Sequence, residues 1–209
     1  MSKKIRQKLI NVSAFNYLAT LLAVNIILLS LAIFFYTGNF RLGYYPLSYI
    51  GAYKTEVGGL NNVVSSRIYS IDMALSGLIM LTLSYSLWQK KIKKNWLETM
   101  FYTLAGLGFL IASFSPDDTR HTFHVIGSAL IFAMLWLIGT KYLLELKNNF
   151  GRKKYFALQI ILQVPIFTYA ATYFLQIDPA AAYIQKIAIF GLIFVLLYSS
   201  FYKKTRELF

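Results

Sequence analysis

Both histidines of this chain fall within one short stretch, residues 115–132, which reads SPDDTRHTFHVIGSALIF. Asp117, Asp118 and Arg120 stand immediately ahead of His121 and His124. An imidazole beside a carboxylate can move protons, and two imidazoles with a carboxylate can hold zinc and activate water. Successive helical residues turn by about 100°, so His121, His124 and Ser128 share one face within roughly 60°. Asp117, His121 and His124 are therefore candidates for acid–base work, and His121 and His124 for metal ligation. The plainer reading is a solvated loop leading into a helix whose first turn carries interfacial histidines. Both stay open, because ionisable groups at membrane depth are usually functional.

Asp72 is the other candidate. Ser65, Tyr69, Asp72 and Ser76 recur at i, i+4, i+7 and i+11, which makes one polar stripe on a helix. Asp72 lies about nine residues into an apolar segment, roughly 13 Å down a helix rising 1.5 Å per residue. A lone carboxylate there must be protonated, paired or facing water. The alternative is a packing role, with the carboxyl bonded to neighbouring hydroxyls. Arg67 is five residues earlier and about 140° around the helix, so it reaches for headgroups rather than for Asp72. Gln159, Gln163 and Asn25 read as interhelical amides, and Lys186 as an amine reaching the interface. Gly106, Gly108, Gly127 and Gly191 suit close helix contact.

These residues need elements to hold them, and composition dictates which. The 209 residues are 57% hydrophobic and 14% charged, with a mean hydropathy of +0.55. A water-soluble domain carries nearer about 25% charged residues. Six apolar segments, at about 15–36, 63–88, 97–113, 122–144, 155–175 and 183–202, are each long enough to cross roughly 30 Å of hydrocarbon. Backbone polar groups cannot go unpaired in lipid, so the segments must be helices. The expectation is an all-α polytopic bundle, one six-helix transmembrane domain over residues 1–209. The first segment is too long for a signal-peptide core and lacks a small-residue cleavage site, so it reads as a retained span. IDPAAA reads as a tight turn into the last span. With no Cys, disulfides, thiolate nucleophiles and Cys-ligated metals are excluded.

The net charge of +13 is distributed as a membrane anchor. Four Lys or Arg stand in the first eight residues, four in QKKIKKNW, five from Lys141 to Lys154 and three in the tail. Arg41, Lys54, Arg67, Arg120 and Lys186 occupy the other side. The positive-inside rule puts both termini in the cytoplasm, and the histidines on the outer or lumenal side. No nucleic-acid motif accompanies the basic loops, so no nucleic-acid partner is expected; the loops are anchors beside anionic lipid. Tyr44, Tyr45, Tyr49 and Tyr53 gather in the first long loop, where aromatic rings sit at a headgroup interface.

Residues 124–132, HVIGSALIF, resemble the H-V-x-G-A-x-L-x-F stretch of the FRAG/DRAM/SFK group of six-span membrane proteins. PLSYIG at residues 46–51, with Glu56 five residues on, is similar to that group's P-x-I-S-D-x-G-x-x-x-x-E. The second match is one residue shorter between Pro and Ser, and has Tyr49 where the group has an acidic residue. Uncharacterised bacterial six-span proteins look similar as well. The resemblance implies a role in lipid remodelling, phospholipid asymmetry or autophagy, mostly without established chemistry. It singles out Ser48, Gly51, Glu56, His124 and Gly127, and leaves Asp72 and His121 to the residue-level argument.

The expected function is a lipid-interacting or membrane-organising protein of the plasma (cytoplasmic) membrane. Its ligand site would be an outward-facing polar cavity built from Ser48, Gly51, Glu56, Asp72, His121, His124 and Ser128. The alternative is a lipid-modifying enzyme, a hydrolase or an acyl-chain remodeller, using Asp72, His121, His124 and Asp117. Against it, membrane hydrolases of the alkaline-ceramidase or adiponectin-receptor kind need a further His pair on a late helix, and this chain has only two histidines. A small-solute transporter is a third reading, disfavoured because no paired discontinuous helices are legible. Membrane lipids are the expected partners, and no cofactor is expected. Nothing in the sequence speaks to protein partners or self-association.

Overall fold

A computed structural model describes residues 13–90 and 96–206. The basic opening, most of QKKIKKNW and the last three residues lie outside the described residues. The fold is all-α, with six helices long and apolar enough to cross a membrane. They are α1 (Ala14–Phe34), α2 (Val63–Gln89), α3 (Trp96–Ser113), α4 (His121–Leu146), α5 (Arg152–Phe174) and α6 (Asp178–Arg206).

The ends follow local chemistry. Ser13 caps α1, its hydroxyl accepting from the Asn16 amide at 3.4 Å. Gln176 takes a left-handed φ of 56° and stops α5 one residue beyond its cap, Leu175. The tight turn expected at IDPAAA is instead the first turn of α6, which opens at Asp178. Proline is preset for a first helical turn, where its missing N–H has no intrahelical acceptor to lose.

Packing runs α1 on α2, α2 on α3, α3 on α4, α4 on α6 and α6 back on α1. Those five helices close a ring, and α5 lies outside it, against α6 and to a lesser degree α4. Glycines set the closest approaches. A Cβ on Gly108 would stand 2.8 Å from the Gly127 carbonyl oxygen, and one on Gly127 2.8 Å from that of Gly108. Gly77 and Gly106 do the same between α2 and α3. Side-chain volume at these crossings would push the backbones apart. Tyr102, Tyr142, Leu83, Ile138 and Val195 fill the interior.

The loop joining α1 to α2 folds over one end of the ring. A short 3₁₀ turn, Leu47–Gly51, lies against α2. Beyond it Lys54 and Asn61 form an isolated antiparallel bridge around a turn in which Gly58 and Gly59 take φ of 84° and 58°. Those left-handed angles are cheap only for glycine.

Candidate functional site

The end covered by this loop carries every candidate the sequence nominated, and the structure gives them separate tasks. Asp118 turns its carboxylate to the loop, where Oδ1 accepts from the Tyr53 amide (3.1 Å) and Oδ2 from the Lys54 amide (3.0 Å). Asp117 accepts from, or donates to, His121 Nδ1 at 2.7 Å, and the His121 side chain is 69% exposed. His124, one turn further, is buried to 3%. Its Nδ1 stands 2.8 Å from the Ser115 carbonyl oxygen. A carbonyl only accepts, so Nδ1 is the donor of this bond. Nε2 is buried and has no hydrogen-bond partner among the described residues. The two histidines therefore look different ways, one to the surface and one into the bundle. Ser128, on the same face, is half-buried.

The stripe on α2 is an inward one. Ser65, Tyr69, Asp72 and Ser76 are all buried. The Ser65 hydroxyl lies 2.8 Å from the Ala32 carbonyl and 3.1 Å from that of Ile50, and Ser76 accepts from the Asn25 amide at 2.7 Å. Tyr69 reaches the His124 ring, with centroids 6.4 Å apart. Gly51 packs on Tyr69 as well, and a Cβ there would meet the phenol ring at 2.5 Å. Asp72 is fully buried and neither carboxyl oxygen has a hydrogen-bond partner. Asp72 and His124 are thus not bonded to each other, and the His124 ring meets Tyr69, three residues before Asp72 on α2.

Ser48 is half-buried in the 3₁₀ turn and Glu56 is exposed in the glycine turn. The open depression at this end, about 410 Å³, is lined by Tyr53, Lys54, Gly59, Asn61, Val63 and Arg67. None of Asp72, His121 or His124 lines it. Among the described residues, no group of three or more His, Asp or Glu is placed to hold a metal ion.

Two features escaped the sequence reading. Asn62 is the pin of the loop: its amide donates to the Ile50 (3.2 Å) and Ala52 (2.9 Å) carbonyls, while its Oδ1 accepts from the Thr37 amide at 3.2 Å. Asn directly before an apolar helix was the available signal, because it marks a helix entry. At the opposite end, Glu98 and Glu145 are bridged by Lys141 (2.5 Å to each) and by Lys203 (3.4 and 2.8 Å). The Tyr142 hydroxyl adds a bond to Glu98 at 3.4 Å and meets Tyr102 at 3.1 Å. This joins α3, α4 and α6. Its residues are 105 apart at the extremes, so no local spacing betrays it; only Lys141 and Glu145 show the i, i+4 pattern.

No family model, curated protein or solved structure matches the chain.

Proposed function

We propose that this integral membrane protein interacts with lipid and organises it, without catalysing a reaction. The observation that carries the reading is how the polar knot is spent. Asp118, Asn62, Ser65, Ser66 and the Nδ1 edge of His124 each hold a backbone group of a neighbouring segment. That is the work of fastening a loop to a helix bundle. A reaction centre instead needs nucleophile, base and charge-stabilising groups converging on one reachable spot. The proposed orientation has both termini in the cytoplasm and the loop-covered end outside, in a plasma (cytoplasmic) membrane. The motif resemblance to the FRAG/DRAM/SFK group supports the same direction, since Gly51, His124 and Gly127 each occupy a tight structural position.

The lipid-modifying enzyme is kept as a second reading on one observation. Both oxygens of Asp72 and Nε2 of His124 are buried and unpartnered, and native structures rarely leave such groups idle. One experiment separates the two. Purified wild type and His124→Ala are compared for bound metal and for conversion of added phospholipid and sphingolipid. Recovery of lipid unaltered by both, with no stoichiometric metal, is the expected result. Zinc bound in stoichiometric amount, or lipid consumed by wild type and spared by the variant, replaces this reading with the enzyme.

A further inference from the structure

The depression beside the covering loop is bounded by two cations. Lys54 and Arg67 are both exposed and both line it. Among the described residues neither has a carboxylate within ion-pair distance. Asp118, which touches this loop, is committed to the backbone amides of Tyr53 and Lys54, and Glu56, two residues beyond Lys54, is exposed and makes no ion pair among the described residues. The Lys54–Asn61 bridge brings Lys54 alongside the start of α2, and Arg67 stands four residues into that helix.

Arg67 also has a definite place relative to lipid. Val64, Arg67, Ile71, Leu75 and Leu78 are exposed and recur at i, i+3, i+7, i+11 and i+14. They form one outward stripe, opposite in task to the buried Ser65–Tyr69–Asp72–Ser76 stripe. Exposed apolar residues on a spanning helix face acyl chains. Arg67 is the one charged member, roughly 6 Å along α2 from its first residue at 1.5 Å per residue, close enough to the helix end for its guanidinium to reach headgroups. Val63 gives the depression an apolar wall, and Val57, Leu60 and Val64 are exposed apolar residues close to it in the chain. Tyr53, 41% exposed, adds a ring of the kind found at headgroup level. A volume of about 410 Å³ falls within the roughly 300–1,000 Å³ of small-ligand sites.

We infer that this depression is a binding site for the phosphate of an anionic phospholipid, held between the Lys54 ammonium and the Arg67 guanidinium. A guanidinium offers a planar fork of donors that matches phosphate oxygens, and an ammonium adds a compact charge beside it. The N-terminus of α2, at Val63, contributes partial positive charge of the same sign. The lipid's glycerol and chains then run along Val64, Ile71 and Leu75, which a soluble phosphate could not use. The inference rests on the lipid-interacting reading and assigns it a place and a headgroup charge.

The test uses the full-length protein in phosphatidylcholine bilayers containing a minority of phosphatidylglycerol, with spin-labelled forms of each lipid. The motionally restricted fraction gives the preference for phosphatidylglycerol. Wild type should show that preference, and Lys54→Gln or Arg67→Gln should each lower it by about fivefold. Lys54→Arg and Arg67→Lys should keep it, which separates charge from misfolding. Arg41→Gln, which removes an exposed cation outside the depression, should leave it unchanged. Survival of the preference in both Gln variants overturns the site, as does an equal loss in Arg41→Gln. Displacement of the labelled lipid by millimolar inorganic phosphate would make it a free-anion site and overturn the lipid assignment. Recovery of chemically altered lipid would instead overturn the non-catalytic reading on which this one rests.

Discussion

At the scale of single residues, the adjacent carboxylates Asp117 and Asp118 show how similar groups are set to different tasks by what surrounds them. Asp117 meets an exposed imidazole, and in water such a pair contributes little. Asp118 accepts two backbone amides with one carboxylate, a charge-assisted arrangement that a neutral side chain cannot reproduce. Asp118→Ala should therefore release the covering loop while leaving the helices intact. In hydrogen exchange, the Tyr53 and Lys54 amides should exchange about tenfold faster or more, and His121→Ala should not change them. Equal protection in Asp118→Ala would mean that Asn62 and Ser66 hold the loop alone. His124, Asp72 and Gly51 stood out in the sequence by rarity or by motif, and all three are buried. Their partners were not legible, because His124 bonds a carbonyl nine residues away and Gly51 presses on a ring from another element. Any residue type supplies a backbone carbonyl, so sequence spacing carries no sign of it. The expected convergence of His121 and His124 gave way to the packing of α4, which buries one and leaves the other at the open first turn.

At the scale of elements, hydrophobic length was sufficient to place all six helices, since lipid admits no other backbone solution for such segments. It could not tell that α5 lies outside the ring, for an outer and an inner membrane helix are both apolar. The α5–α6 contact shows a coupling between two breaks in regularity. Pro165 lacks the N–H that would bond the Ile161 carbonyl four residues earlier. That oxygen faces Gly191 of α6, where a Cβ would stand only 2.5 Å away. The glycine thus lets α6 approach closely the carbonyl whose usual i+4 donor Pro165 lacks. Gly191→Ala should destabilise the protein by about 1–3 kcal/mol, the usual cost of forcing volume into a packed contact. Thermal unfolding in detergent would register it. Gly151→Ala, where a Cβ would meet nothing within 4 Å, is the matched control and should move the midpoint far less. A Gly191→Ala protein as stable as wild type would show that α5 yields freely, and that the contact has no part in holding it.

At the scale of the whole molecule, the two ends of the bundle differ in how their charge is used. The end with Glu98, Lys141, Glu145 and Lys203 ties α3, α4 and α6 together with balanced charges. The loop-covered end has few cations, and there Asp118 is spent on backbone amides while Asp117 meets His121. Excess Lys and Arg in short loops sets the direction of insertion, whereas Asp and Glu contribute little to it. Sixteen of the 21 basic residues belong to the termini and the segments on their side, so the proposed orientation keeps both termini in the cytoplasm. Single cysteines test this cleanly, because the chain has none of its own. Val57→Cys and Thr119→Cys lie at exposed positions of the loop-covered end, and Lys147→Cys and Asn148→Cys at exposed positions of the other. An impermeant maleimide applied to intact cells should label the first two, and label the second two only after the membrane is opened. The opposite pattern would invert the molecule. The depression between Lys54 and Arg67 would then meet the inner leaflet, and the anionic lipid it is proposed to hold would have to be drawn from there.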